Sequence, residues 1–116
     1  MRKLQFLNPV GLVSDNFSTV RIGSKWAIRT VEEEDRSLLL VDGTGASQGT
    51  ARVIGCWTGE LSALPAILIE TCNDPVMRTW SGVAQILSGL HPDEDVGFST
   101  TVTVLQLKHT GSIIKL

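Results

Sequence analysis

Apolar and polar residues alternate over both ends of the chain, and give way to three- and four-residue spacing only between residues 61 and 90. That pattern predicts strands first, then helices, then a last strand. Residues 4–7 read as a short first strand and residues 8–16 as a loop. Residues 17–22 and 25–31 read as the two arms of a hairpin about Gly23-Ser24. After the acidic run 32–35, residues 36–41 carry the Leu38-Leu39-Leu40-Val41 core of a buried strand. Asp42-Gly43-Thr44-Gly45 is a turn, and residues 49–57 return as another strand.

Leu61, Leu64, Ile67 and Leu68 then recur at helical spacing, predicting a short helix over 62–72 with Ser62 at its N-cap. Asp74-Pro75 opens a second helix, with an acceptor at the N-cap and proline at the first helical position. Val76, Met77, Trp80, Val83, Ala84, Leu87 and Leu90 give this helix one apolar face, which ends near Gly89 and His91-Pro92. Residues 98–108 form the last strand. A strand that returns after two helices lets a sheet close on itself, so the expected class is α+β, mainly β: a small β-barrel, one domain over residues 1–116, with two helices inserted before the last strand.

A length of 116 residues and a 42% hydrophobic composition suffice for one buried core. The net charge of −2 argues against a general polyanion binder, but the charge is unevenly spread. Arg2, Lys3, Arg21, Lys25 and Arg29 face only Asp15 in the first thirty residues, a local excess of cations on an acidic chain. Such a face suits a bounded ligand such as a nucleotide or a short RNA better than long duplex DNA. Residues 4–13 are interrupted by Gln5, Asn8 and Pro9 and lack a cleavage pattern, and no run is long enough to span a bilayer. The expected location is cytoplasmic, with no membrane partner.

The hairpin carries the candidate chemistry. Its register pairs Ile22 with Lys25, Val20 with Ala27 and Ser18 with Arg29, and sets Arg21 opposite Trp26 for guanidinium–indole stacking. Glu70, at the end of an inward-facing helical run, is the carboxylate placed to pair with Lys25 or Arg29, or to have its pKa raised in a cleft. The candidate ligand-binding set is therefore Arg21, Lys25, Trp26, Arg29 and Glu70. Cys56 and Cys72 read as free thiols, and with His91 and His109 they show no metal-ligand spacing; no metal or other cofactor is expected. Gly43-x-Gly45-x-x-x-Gly49 precedes a strand rather than a helix, so it lacks the free amides of a phosphate loop. No hydrolase signature of the G-x-S-x-G or H-E-x-x-H kind occurs.

The segment Gly23-Ser24-Lys25-Trp26-Ala27-Ile28-Arg29, together with the strand order and the paired helices, resembles the ASCH domains of the PUA-like superfamily over roughly residues 17–108. The resemblance implies a small PUA-like barrel associated with RNA and modified nucleosides. Some ASCH proteins remove an acyl group from the exocyclic amine of cytidine. By that resemblance Lys25 takes the motif lysine role and Glu70 the glutamate role, as catalytic residues if the chain is an enzyme. The motif threonine is replaced by Ala27, and the spacing from Lys25 to Arg29 is one residue shorter. Alanine supplies no hydroxyl.

The leading expectation is a PUA-like module that binds RNA or a modified nucleotide in a basic cleft between barrel and helices. Its alternatives are an N4-acylcytidine amidohydrolase using Lys25 and Glu70, and a non-catalytic module of a mobile element or virus whose basic hairpin meets an acidic protein partner.

Overall fold

The last strand, β5 (Thr101–His109), is the one around which the others assemble. It is flanked on both sides and covered on both faces, and Val102, Thr103, Val104, Leu105 and Leu107 are all buried. A continuous run of apolar and β-branched residues is what such a strand requires. The computed structural model describes residues 2–6, 16–32 and 36–110. They form one five-stranded sheet in the order β1 (Arg2–Phe6), β3 (Ser37–Asp42), β4 (Ser47–Glu60), β5 and β2 (Asn16–Ile22). β1 runs parallel to β3, and every other pair is antiparallel.

β1 and β2 are the outer strands, which a flat sheet would hold about 19 Å apart at the usual strand spacing. Instead Phe6 of β1 and Phe17 of β2 meet edge to face, with ring centroids 6.2 Å apart. The sheet is curled into a half-barrel. Register shifts at Leu40/Val41 and at Val53/Gly55 bend its ladders, as bulges do. The concave face holds one core, in which Leu4, Phe6, Phe17, Leu38, Leu40, Ala51, Val53, Leu105 and Leu107 pack together, with Trp26 against them.

The convex face carries a second core, built from Val20, Val102 and Val104 of the sheet and from the chain between β4 and β5. That stretch contains α2 (Ala66–Ile69), α3 (Trp80–Leu90) and two 3-10 turns, Leu61–Ala63 and Pro75–Arg78. The helical insertion before the last strand thus agrees with the sequence reading, while its details differ. Pro65 precedes α2 in extended conformation and splits the helix expected over 62–72. Asp74 caps as expected, its side chain accepting from Val76 N at 3.0 Å, but that turn stops at Arg78. Thr79 then caps α3 by accepting from Gly82 N at 3.1 Å.

The larger correction concerns the hairpin. Its first arm is β2, but the segment expected as the second arm is a helix, α1 (Lys25–Glu32). β2 pairs instead with β5, setting Val20 against Val104 and Arg21 against Thr103. Gly23 ends the strand at φ 77, a left-handed conformation that glycine adopts without strain, and Thr103 Oγ1 donates to its carbonyl at 2.7 Å. The Ser24 carbonyl then accepts from Ile28 N at 3.0 Å, opening the helix. Helical spacing brings Trp26, Arg29 and Thr30 together: Arg29 lies over the Trp26 ring at 5.0 Å, and Thr30 Oγ1 donates to the Trp26 carbonyl at 2.8 Å. Trp26 packs on the concave core. Most of the loop expected at 8–16 and of the acidic turn at 32–35 lies outside the described residues.

Gly82, in the first turn of α3, approaches the preceding turn so closely that a Cβ there would overlap the Val76 carbonyl oxygen. Alanine has the better helix propensity by about 1 kcal/mol, yet a backbone clash of this kind costs more than that gain. Gly82→Ala is therefore expected to lower unfolding free energy by about 1–3 kcal/mol in urea titration. A neutral or stabilising result would contradict this packing.

Candidate functional site

The half-barrel curls without zipping, and the gap between its outer strands is the site. A cavity of about 530 Å³ is bordered by Gln5 and Phe6 of β1 and by Thr19, Val20, Arg21 and Ile22 of β2. Its far wall is the segment carrying Asn73, Asp74 and Met77, with Ile86, Leu87, Leu90 and His91 at and beyond the end of α3. Side chains alternate across a strand, so four consecutive lining residues mean that the cavity runs along the strand's edge rather than over one of its faces. The cleft lies between barrel and helices, and its size and mixture of apolar walls with a few polar groups are those of a small-molecule site.

Arg21 is the charged group at its base. Its register opposite Thr103 puts it on the concave side, where the guanidinium lies over the Phe6 ring at 4.7 Å and Nε donates to Thr19 Oγ1 at 3.2 Å. Burial pulls its pKa down to about 10, and among the described residues the opposing influence is the nearby Cys72 thiol. That thiol is itself pushed upward, chiefly by burial, so it stays neutral and gives the cation little help. Among the described residues no carboxylate compensates Arg21. Asp74 and Asn73 are buried at the other wall of the cleft, 8% and 5% exposed, and Asp74 is engaged with Val76 N.

The sequence-predicted residues divide among separate places. Arg21 lies in the cleft, stacked on Phe6 where Trp26 was expected. Trp26 serves the concave core and takes Arg29 as its partner. Lys25 is exposed at the start of α1, three residues beyond the cleft's Ile22. Glu70 is exposed after α2 and borders a different hollow of about 220 Å³, together with Thr71, Cys72 and Arg78. Neither cavity brings Lys25 and Glu70 together. Phe6, Asn73 and Asp74 were missed as site residues. The sequence reading gives Asp74 only a capping role, and the signal for both was two polar residues set directly beside the buried Cys72.

Cys56 and Cys72 are free thiols, one exposed and one buried. No group of His, Cys, Asp and Glu that could hold a metal ion occurs among the described residues, and no described helix is long and apolar enough to cross a membrane.

No family model matches the chain, and no curated protein does. Among solved structures the fold is similar to that of protein EF3133 from Enterococcus faecalis V583, a DUF984 protein, with a TM-score of 0.63 at 7% identity. The similarity covers 89% of this chain and 65% of the EF3133 chain, so this protein spans just under two thirds of that neighbour's length. At this identity the likeness is one of fold, a small mostly-β barrel-like architecture with few helices.

A desolvated cation that no carboxylate among the described residues compensates costs the fold stability. The fall in its pKa to about 10 corresponds to roughly 3 kcal/mol. Arg21→Met keeps apolar contact with Phe6 while removing the charge, and is expected to raise unfolding free energy by about 1–3 kcal/mol. The folded-state pKa lies below the unfolded one, so the penalty is fully present below about pH 10 and is relieved only as pH climbs above it. Urea titrations across the neutral range should therefore show a constant gain, and a less stable variant would refute the assignment.

Proposed function

We propose that this chain is a PUA-like binding module that holds RNA or a modified nucleotide in the cleft between the half-barrel and its helices. The observation that carries the reading is the Arg21 guanidinium, desolvated over Phe6 and without a compensating carboxylate among the described residues, at the base of a mostly apolar cavity of about 530 Å³. A half-buried cation that no carboxylate among the described residues compensates favours a ligand that brings an anion, and the apolar walls favour a ligand with a planar, weakly hydrated part. A nucleotide has both. Arg21 meets a phosphate or a base carbonyl, Asn73 and Asp74 stand at the wall where a base's polar groups reach, and Phe6 and Met77 supply apolar surface.

The cations of α1 extend this reading outward. Lys25 follows Ile22 by three residues, a chain distance of at most about 11 Å, so its amine reaches phosphates of a strand that continues out of the cleft. This gives Lys25 and Arg29 a backbone-tracking role and leaves ligand selection to the cleft. The fold likeness to EF3133 supports the barrel framework of the proposal.

Calorimetric titration of mononucleotides and a short single-stranded RNA tests the division of labour. Arg21→Gln should weaken both ligands by at least about tenfold, as loss of a charge-assisted hydrogen bond does. Lys25→Ala should weaken the RNA and leave mononucleotides unaffected. Equal binding by wild type and Arg21→Gln would remove the cleft as the site.

A further inference from the structure

The cavity runs along a strand edge, and an edge presents backbone. In β2 the odd-numbered residues turn their N–H and C=O toward β5: Gly23 N, next in that series, donates to Thr101 O at 2.8 Å. The even-numbered residues turn theirs outward. At Ser18 this outward pair is satisfied, since Ser18 N donates to Thr71 O and Ser18 O accepts from Asn73 N, both at 3.0 Å, in an isolated parallel bridge to Cys72. The bridge goes no further. After Asn73 the chain departs through Asp74-Pro75 into the Pro75–Arg78 turn, so Val20, the next outward-facing residue, has no main-chain partner on that side among the described residues. Val20 is 3% exposed and borders the cleft. A buried amide and carbonyl left in this way call for a partner from water or from a ligand.

What flanks this edge narrows the partner. Arg21 and Phe6 lie on the concave side of the sheet, while Met77 and Leu87 belong to the core on its convex side. A flat molecule lying in the plane of the sheet, against β2, therefore has a guanidinium and a phenyl ring on one face and aliphatic side chains on the other. One residue's N–H and C=O point the same way and offer one donor beside one acceptor. The Watson–Crick edge of a nucleobase presents the complementary pair: a ring N–H beside a carbonyl in uracil, or a ring nitrogen beside an amino group in adenine.

We infer that the open edge of β2 is a base-reading edge, at which the main-chain N–H and C=O of Val20 pair with the Watson–Crick edge of a nucleobase held between Arg21 with Phe6 and Met77 with Leu87. This rests on the nucleotide-binding reading above and deepens it. Nucleotides whose Watson–Crick edge is free are ligands, whatever they carry on the sugar or on the base's other edges, and nucleotides methylated on that edge are excluded.

The test follows the Val20 amide by nitrogen–proton NMR during titration with two pairs of probes: UMP and N3-methyl-UMP, AMP and N6,N6-dimethyl-AMP. The inference expects at least one unmethylated nucleotide to move the Val20 resonance and slow its hydrogen exchange, and its methylated partner to bind at least about tenfold more weakly, as the loss of a hydrogen bond against a paired group implies. If both members of each pair bind alike, and Arg21→Gln weakens both, the edge-reading inference is overturned while the cleft remains a nucleotide site. If no nucleotide perturbs any resonance of the cleft, the inference falls together with the reading on which it rests.

Discussion

The structure depends on a sheet that curls far enough for its two outer strands to touch but not far enough for them to pair. Phe6 and Phe17 make the touch, edge to face at 6.2 Å, and Arg21 lies on Phe6 from the same side. Aromatic contact holds two edges at side-chain distance, whereas a hydrogen-bonded ladder would bring the backbones to strand spacing and close the gap. Because the contact is made by side chains, the space beside it stays open, and an open edge inside a folded protein is a place for something else to bind. The same contact is thus the seal of the concave core and the boundary of the cleft.

Arg21 sits at this seam at a thermodynamic disadvantage, which is informative about its role. If only packing were required there, an uncharged side chain would cover Phe6 without desolvating a cation. The downward pull on its pKa, to about 10, reflects how poorly the protein solvates the charge. Stability forgone at one residue beside two cores of buried apolar side chains is what the proposed ligand site accounts for. Asp74 offers a contrast: it is buried, but it is engaged as the cap of a turn, and its position against the cleft follows from that structural duty.

Much of the architecture was legible in the sequence because it rests on periodicity. The buried run in β5, the strand around Leu38–Val41 and the helical spacing between residues 61 and 90 each reflect which faces must be covered, and the structure covers them. The segment after Gly23 was misread because Lys25-Trp26-Ala27-Ile28-Arg29 satisfies both a strand's alternation and a helix's spacing over so short a stretch. The tie is broken by Trp26, which reaches the concave core from a helix, and by β5, which occupies the edge of β2 that a hairpin partner would have used. Of the five residues proposed for the site, Arg21 alone borders the larger cleft, and Glu70 borders another hollow. Its partner Phe6 is remote in sequence and its neighbour Asp74 was disguised as helix punctuation, so no local pattern could assemble them.

The fold likeness to EF3133 at 7% identity fits the same division. A curled sheet with helices on its convex side is specified by which positions are apolar, and many sequences meet that requirement without sharing residues. Here the chain covers Ser18 with residues 71–73 and then leaves at Asp74-Pro75, since proline has no N–H with which to continue a ladder. One proline therefore decides that the open edge begins at Val20, next in sequence to Arg21. Unpaired backbone and charge are brought together by that departure, and neither would recommend the site without the other.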